Sequence, residues 1–178
     1  MLTKVVNILG PADRFSDLKS EILTLVEKHA DERNQVICQT KKPGSDDWYE
    51  GIGSIDDLEE KNEESYRFIN PNLRGTQLEK FIEAFDGFRT RIMIMPPRQC
   101  YSVHADPTPR LHVPIITNDQ CWMIWPFESC CKRLIEGYVH LVDTTKSHTF
   151  INGSGSEKRI HLMMCLSRKN FDSFIKST

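Results

Sequence analysis

The sequence predicts a mainly β chain with flanking α helices, and three features predict it. After Gly87, short runs rich in β-branched and aromatic residues follow one another as far as residue 166, each bounded by turn residues. Ahead of them lie two stretches whose apolar residues recur at three- and four-residue steps. The full length of 178 residues, 39% apolar and 27% charged, suits one domain with a properly buried core.

Taken in order, the opening MLTKVVNILGPADRF has a short apolar stretch broken by Gly10-Pro11. It lacks the longer apolar block and the small-residue cleavage site of a signal peptide. Residues 14–29 read as an amphipathic helix, with Phe15, Leu18, Ile22, Leu25, Val26 and His29 on one face. Val36–Cys38 is a candidate strand. From 41 to 75 the chain is rich in Lys, Asp, Glu, Gly, Asn and Ser, which predicts loops. Trp48, Tyr49, Tyr66 and Phe68 would anchor those loops to the core. A long ordered loop serves as a lid or recognition surface about as often as it serves as plain cover. Thr76-Gln77-Leu78-Glu79 is a capping box, in which the Thr hydroxyl accepts from the backbone of Glu79 and the Glu79 carboxylate reaches back. It opens a second helix that buries Leu78, Phe81, Ile82 and Phe85, and Gly87 ends it.

Eight strands follow, at 89–95, 99–104, 111–117, 120–125, 130–135, 137–142, 148–151 and 158–166. Pro96-Pro97, Pro107-Thr108-Pro109, Asn118-Asp119 and Asn152-Gly153-Ser154-Gly155 supply turns between them. Short strands at this spacing form either a small barrel or a two-sheet jelly roll. Trp122 and Trp125 are expected to pack inside. A short helix near 170–176 closes the chain. The expected organisation is a single domain: a helical and loop-rich annex over 1–87, a β core over 88–166, and a terminal helix over 167–178.

The formal net charge of −2 and the scattered Lys and Arg residues argue against a nucleic-acid footprint. The local cluster Arg89, Arg91 and Arg98 reads as solvated exterior. No apolar run is long enough to span a bilayer. The six cysteines show no CxxC spacing, several sit inside apolar runs, and neighbouring Cys130 and Cys131 would face opposite sides of a strand. A reducing cytoplasm without structural disulfides is the reading they favour.

Polar residues interrupt the strands at informative places. His104 and Asp106 are two apart, and so share a face at a strand end. Arg110 and His112 repeat that spacing in the next strand. Arg159 and His161 do so in the last strand, whose other face carries Ile160, Leu162, Met164 and Leu166. Buried polar groups are costly unless they pair or bind something, so these pairs together with His148 point to a site. Two imidazoles and one carboxylate suit a metal such as Fe(II) with coordination positions left open. His-Ala-Asp-Pro taken alone could equally be a strand-ending turn.

The stretches YSVHADPTPRLHVPIITN and SHTFINGSGSEKRIHLMMCL resemble 2-oxoglutarate/Fe(II)-dependent oxygenases. Among these they are most similar to the aspartyl/asparaginyl β-hydroxylase-like group, which includes bacterial proline hydroxylases. The resemblance covers roughly residues 88–166. It implies a double-stranded β-helix, that is, a cupin-like jelly roll, buttressed by the N-terminal helices. It implies His104, Asp106 and His148 as iron ligands and Arg159 as the partner of the distal carboxylate of 2-oxoglutarate. Arg110 and His112 match the family's Arg-x-His element and would contact cosubstrate or substrate, and a hydroxyl of Tyr101 or Ser102 could face the same acid. The implied reaction consumes 2-oxoglutarate and O2, releases succinate and CO2, and hydroxylates an unactivated C–H. The implied substrate is an amino acid, free or in a peptide or protein. Some aspartyl β-hydroxylases lack the carboxylate ligand, whereas this chain has Asp106, which weakens transfer of a protein-aspartate substrate.

Several residues read as structural. His161 and His140 lie among apolar neighbours, as satisfied core histidines do, and Asn152-Gly153 is a turn signal. The segment Asp56–Glu64 and Arg74 are candidate fixed charges for a free amino acid. Two rivals stay open: a cupin-type metalloenzyme that does not use 2-oxoglutarate, and a non-catalytic ligand-binding domain on the same scaffold. The first has no need for a cation at position 159, and the second has no need to keep three coordination positions open.

Overall fold

The computed structural model describes residues 5–31, 33–53 and 62–177, so residues 56–61 of the acidic segment lie outside it. The order of elements is β1 (Val6–Pro11), α1 (Phe15–His29), β2 (Gln35–Ile37), β3 (Gln39–Thr40), β4 (Phe68–Ile69), α2 (Gln77–Phe85), β5 (Phe88–Met95) and β6 (Gln99–Cys100). There follow β7 (Arg110–Ile116), β8 (Cys121–Trp125), β9 (Cys130–Lys132), β10 (Tyr138–Val142), β11 (Thr149–Asn152), β12 (Arg159–Cys165) and α3 (Arg168–Lys176). Each strand expected between 88 and 166 is present, with β6 and β9 shortened. Among the described residues no helix is long and apolar enough to cross a membrane.

Packing divides the chain into two compact units, the first built from the described parts of 1–12, 94–161 and 166–178 and the second from those of 13–93 and 162–165. Strands β5 and β12 contribute residues to both.

In the first unit, one sheet runs β1-β10-β7-β12 and the other β6-β11-β8-β9. The pairings β1/β10, β10/β7, β11/β6, β11/β8 and β8/β9 are all antiparallel. The sheets face each other across a core of Met95, Cys121, Met123, Trp125, Leu134, Val142 and Phe150. Strand β7 is buried along all but its last residue, and β12 along its whole length, as expected of strands covered on both faces. Strand β8 instead alternates, with Cys121, Met123 and Trp125 inside. Trp122 is 37% exposed beneath the Arg133 guanidinium, which corrects the expectation that both tryptophans fill the interior. Strand β1 was not foreseen. It pairs with β10 from Val6↔Val142 to Pro11↔Tyr138, and its register slips between Ile8 and Gly10.

In the second unit, α1 and α2 pack together, and the contact is partly electrostatic. The Glu21 carboxylate of α1 accepts from the backbone N–H groups of Gln77 and Leu78, each at 2.9 Å. The Thr76 hydroxyl accepts from Glu79 N–H at 3.0 Å, so three otherwise orphaned donors of α2 are satisfied. The Glu79 carboxylate reaches back to Gly75 N–H, one residue beyond the expected partner, because Thr76 N–H is taken by the Leu73 carbonyl.

Asp86, with φ of 45°, takes the left-handed position that ends α2. Gly87 is needed for space instead: a Cβ there would lie 2.1 Å from Met164 Sδ and 2.9 Å from the Cys165 carbonyl oxygen. We expect Gly87→Ala to destabilise the fold by about 1–3 kcal/mol, the usual cost of overpacking. Urea denaturation would register this as a lower midpoint at constant slope. An unshifted midpoint would mean that Met164 yields freely.

The basic cluster also departs from expectation. Arg89 and Arg91 are buried, and only Arg98 is exposed. Arg89 pairs with buried Glu63 at 2.8 Å and donates to the Gly51 and Gly53 carbonyls. Arg91 donates to the Gln35 side chain and to the Gly53 carbonyl. These guanidiniums pin the loop ahead of residue 54 by saturating its carbonyls, which a count of charges cannot reveal. Trp48 stacks on His29 with ring centroids 4.5 Å apart, Tyr49 bonds the His29 carbonyl and Tyr66 is buried. Phe68 is exposed and anchors nothing by burial.

Candidate metal centre and anion pocket

The site lies wholly in the first unit. Strand β6 pairs with β11 through Cys100↔Ile151, and an isolated bridge, His104↔His148, joins the two segments again just before β11 begins. Between those two pairings, residues 101–103 face only 149–150. One extra residue is therefore accommodated on the 101–103 side, the kind of irregularity that re-aims side chains beside functional sites. The bridge is closed by His104 N–H to the His148 carbonyl at 3.0 Å and its reciprocal at 2.8 Å. Asp106 N–H donates to the Thr144 carbonyl at 2.8 Å, which fixes the third member.

Ligand atoms of His104, Asp106 and His148 all lie within 4.8 Å of one another. His104 Nε2 is 3.9 Å from Asp106 Oδ1, and His148 Nε2 is 3.7 Å from Asp106 Oδ2. His104 Nδ1 donates to the Ser102 carbonyl at 2.8 Å, and His148 Nδ1 to the Lys146 carbonyl at 2.9 Å. A carbonyl only accepts, so both rings carry the proton on Nδ1 and keep the Nε2 lone pair free for a cation. Burial, acting first, lowers the His148 pKa and favours the neutral form that a metal requires. The donor set, two neutral imidazoles and a carboxylate, fits a divalent transition metal.

Arg110 opens β7 and holds Asp106 side-on, with Nη2 to Oδ1 at 3.0 Å and Nε to Oδ2 at 3.2 Å, while Nη1 donates to the Thr108 hydroxyl. Burial pulls the Asp106 pKa upward, but the charge and hydrogen bonds of Arg110 outweigh it and bring it to about 2. Arg110 was expected to reach towards a cosubstrate. The structure sets its guanidinium on the Asp106 carboxylate, which it keeps ionised and turned.

Arg159 opens β12 and is 2% exposed. Its guanidinium stacks 3.7 Å from the Phe150 ring centroid and donates to His161 Nδ1 at 2.7 Å, with the Tyr101 side chain a further polar neighbour. Among the described residues no carboxylate pairs with it. Burial lowers its pKa to about 10. Three buried polar atoms on these side chains have no partner: Arg159 Nε, His161 Nε2 and His112 Nδ1. His112 and His161 meet edge to face at 5.7 Å, and Phe150 meets His161 at 5.4 Å. A buried cation near unsatisfied nitrogens, with no carboxylate partner among the described residues, is a candidate anion site.

Of the eight residues proposed from the sequence as metal or cosubstrate contacts, seven place their side chains in this region. Of the two hydroxyl candidates, Tyr101 reaches Arg159. Ser102 is exposed and contributes its carbonyl to His104. His140 is satisfied at both nitrogens, by Ile135 N–H and the Tyr138 carbonyl, as a structural histidine should be. Asn152 is more than a turn residue: fully buried, it binds the Met95, Pro96 and Glu157 carbonyls and Ser154 N–H. Phe150 was missed, although it stands two residues from His148 and so shares its strand face. The charged candidate Glu63 is spent on Arg89, and Arg74 is exposed in the second unit.

His112, His140 and His161 are all buried, and burial is the first cause of a lowered pKa in each. In the unfolded chain they titrate near 6.5. Just below that pH the unfolded chain takes up protons that the folded chain refuses, so stability is full above about 6.5 and is lost as pH falls. The expected slope is roughly 1.4 kcal/mol per pH unit for each histidine. Denaturation curves at pH 7.5, 6.5 and 5.5 check this. A flat profile would show that the three rings protonate in place.

The fold and cluster together define the class: a double-stranded β-helix in which two histidines and an aspartate are grouped closely enough to hold a metal. The chain belongs to the aspartyl/asparaginyl β-hydroxylase family, whose model matches residues 72–169 and so takes in α2 as well as the β core. Among solved structures, a Pseudomonas putida prolyl-4-hydroxylase is similar at 12% identity, with 93% of this chain and 94% of that chain covered and a TM-score of 0.57. A viral collagen prolyl hydroxylase from Paramecium bursaria Chlorella virus-1, in its 2-oxoglutarate complex, is similar at 13% identity, with 93% and 98% covered and a TM-score of 0.52. At such identities the likeness shows a shared fold. Compared with the curated proteins, the chain matches none.

Proposed function

We propose that this chain is a 2-oxoglutarate- and Fe(II)-dependent dioxygenase that hydroxylates an unactivated C–H of an amino acid, free or within a peptide or protein. The observation that carries this reading is Arg159, a buried cation with no carboxylate partner among the described residues, in the same core as the metal cluster. Charge balance supports a dicarboxylate as its ligand. The Arg110–Asp106 pair is neutral, so a divalent metal and Arg159 leave a strongly positive interior that a dianion offsets better than a monoanion.

The roles follow from the contacts. His104, Asp106 and His148 would hold the iron, and Arg110 keeps the Asp106 carboxylate turned towards it. Arg159 would bind the distal carboxylate through parallel N–H donors, with the Tyr101 hydroxyl beside it. Phe150, stacked on Arg159, would line the site and help to keep water out. Bound iron would supply the redox chemistry by which 2-oxoglutarate, O2 and R–H become succinate, CO2 and R–OH.

The test is an anaerobic titration of the protein with Fe(II) and then 2-oxoglutarate, following the visible charge-transfer absorption of the chelate. A screen of amino acids and peptides for stimulated succinate release would come next. Absence of both signals overturns the reading. A protein that binds metal yet ignores 2-oxoglutarate is the result expected of a cupin-type metalloenzyme of another kind.

A further inference from the structure

We infer that Asp143 is a positioning residue for the metal centre, its carboxylate fixing the turn whose carbonyls orient two of the three candidate ligands; this rests on the metal reading above and not on 2-oxoglutarate. An Asp that bonds a Thr two residues on is by itself an ordinary turn device. What sets this turn apart is what bonds to it. The Thr144 carbonyl accepts the Asp106 N–H at 2.8 Å, and the Lys146 carbonyl accepts the His148 Nδ1–H at 2.9 Å. The Thr144 hydroxyl donates to the Thr108 carbonyl at 2.9 Å. The Thr108 hydroxyl accepts in turn from Arg110, which holds the Asp106 carboxylate. His104 joins through its backbone bridge to His148.

Residues 143–147 belong to no strand, so a sheet ladder does not hold them. Asp143 does. Its Oδ1 accepts from the Thr145 hydroxyl at 2.6 Å and from Arg168 Nη2 at 3.1 Å, and the same Nη2 donates to the Thr145 hydroxyl at 2.9 Å. The carboxylate thus closes a ring of hydrogen bonds that ties the turn to the first residue of α3. The Asp143 backbone is anchored too, donating to the Val5 carbonyl at 2.9 Å and accepting from the indole of buried Trp125 at 3.2 Å. Burial pulls the Asp143 pKa upward, but the bonds from Thr145 and Arg168 outweigh it, so the acceptor stays ionised near neutral pH. A ligand histidine takes its tautomer and direction from the acceptor at its other nitrogen. Displacing the Lys146 carbonyl therefore frees the His148 ring, and displacing the Thr144 carbonyl releases Asp106.

Removing this carboxylate strands no buried cation, because the Arg168 side chain is 47% exposed. In Asp143→Ala we expect Fe(II) affinity, read by anaerobic equilibrium dialysis, to fall about tenfold, the lower end of what loss of an orienting partner costs. In the metal-free protein, NMR of the ring nitrogens should show His148, protonated on Nδ1 in wild type, passing to a mixture of tautomers. Asp143→Asn retains an oxygen for Thr145 and Arg168, so its tautomer should match wild type and its affinity should stay within about threefold. An Asp143 that merely supports the fold would lower the melting temperature and move neither readout. Either readout unchanged in folded Asp143→Ala, or an Asn variant as weak as Ala, overturns the inference and leaves the metal centre standing. If Asp143→Ala does not fold, Thr145→Val, which removes the hydroxyl from the same ring of bonds, decides in its place by the same readouts. A wild type that binds no Fe(II) overturns both.

Discussion

His148→Ala will abolish turnover and remove tight iron binding while leaving the protein folded. The side chain of His148 is nearly buried, its ring is locked by the Lys146 carbonyl, and its Nε2 faces Asp106. Loss of a partner that merely orients a ligand typically weakens metal affinity 10–100-fold, so loss of a ligand should weaken it by about a hundredfold or more. His104→Ala should match it in activity with less disturbance of packing, because His104 is 41% exposed against 6% for His148. Equilibrium dialysis against Fe(II), with near-ultraviolet circular dichroism as the control for folding, reads both effects. Iron retained at wild-type affinity in either variant would remove that residue from the centre.

The third ligand makes a poorer test, for a reason the contacts supply. Asp106 is also the anion that neutralises buried Arg110. Asp106→Ala would strand that guanidinium, and breaking a buried pair from one side commonly costs about 3–5 kcal/mol. A dead Asp106 variant could therefore report an unfolded protein. Asp106→Asn, which leaves an oxygen for Arg110, separates the two outcomes.

What could be read from the sequence follows its local periodicities. The i, i+2 spacing of His104/Asp106, Arg110/His112 and Arg159/His161 is a property of the chain itself, and strand geometry converts it directly into a shared face. The helices at 15–29 and 77–85 were legible for the same reason. What failed to show depends on partners distant in sequence. Strand β1 is defined by β10, more than a hundred residues away, and Glu21 caps a helix that begins at residue 77. Arg89 and Arg91 look like surface charges until the carbonyls of residues 51 and 53 are brought over them. Trp122 and Trp125 share a composition but differ in parity along β8, and only the register against β11 and β9 decides which one faces in. The role of Arg110 was hidden in the same way, since nothing in Arg-Leu-His says that the guanidinium turns back four residues to Asp106.

Arg159→Leu should separate stability from function more sharply than any other substitution in this chain. Burial brings the Arg159 pKa from 12.5 to about 10, so holding the charge inside costs the fold on the order of 3 kcal/mol. Tyr101, His161 and the Phe150 face offset only part of this, since none of them is an anion. A leucine there removes the charge, keeps apolar contact with Phe150, and should leave the metal-free protein as stable as wild type or more so in thermal melts. The same change deletes the cation that would pair with the distal carboxylate. Truncating one side of a buried, hydrogen-bonded charge pair costs about 2–5 kcal/mol, so 2-oxoglutarate affinity should fall by at least about thirtyfold while Fe(II) affinity holds. A purely structural arginine predicts the reverse: a lower melting temperature, with unaltered cosubstrate affinity in whatever protein stays folded. An interior cation that the fold would be better off without is what a site built to pair with an anion from outside the chain would contain.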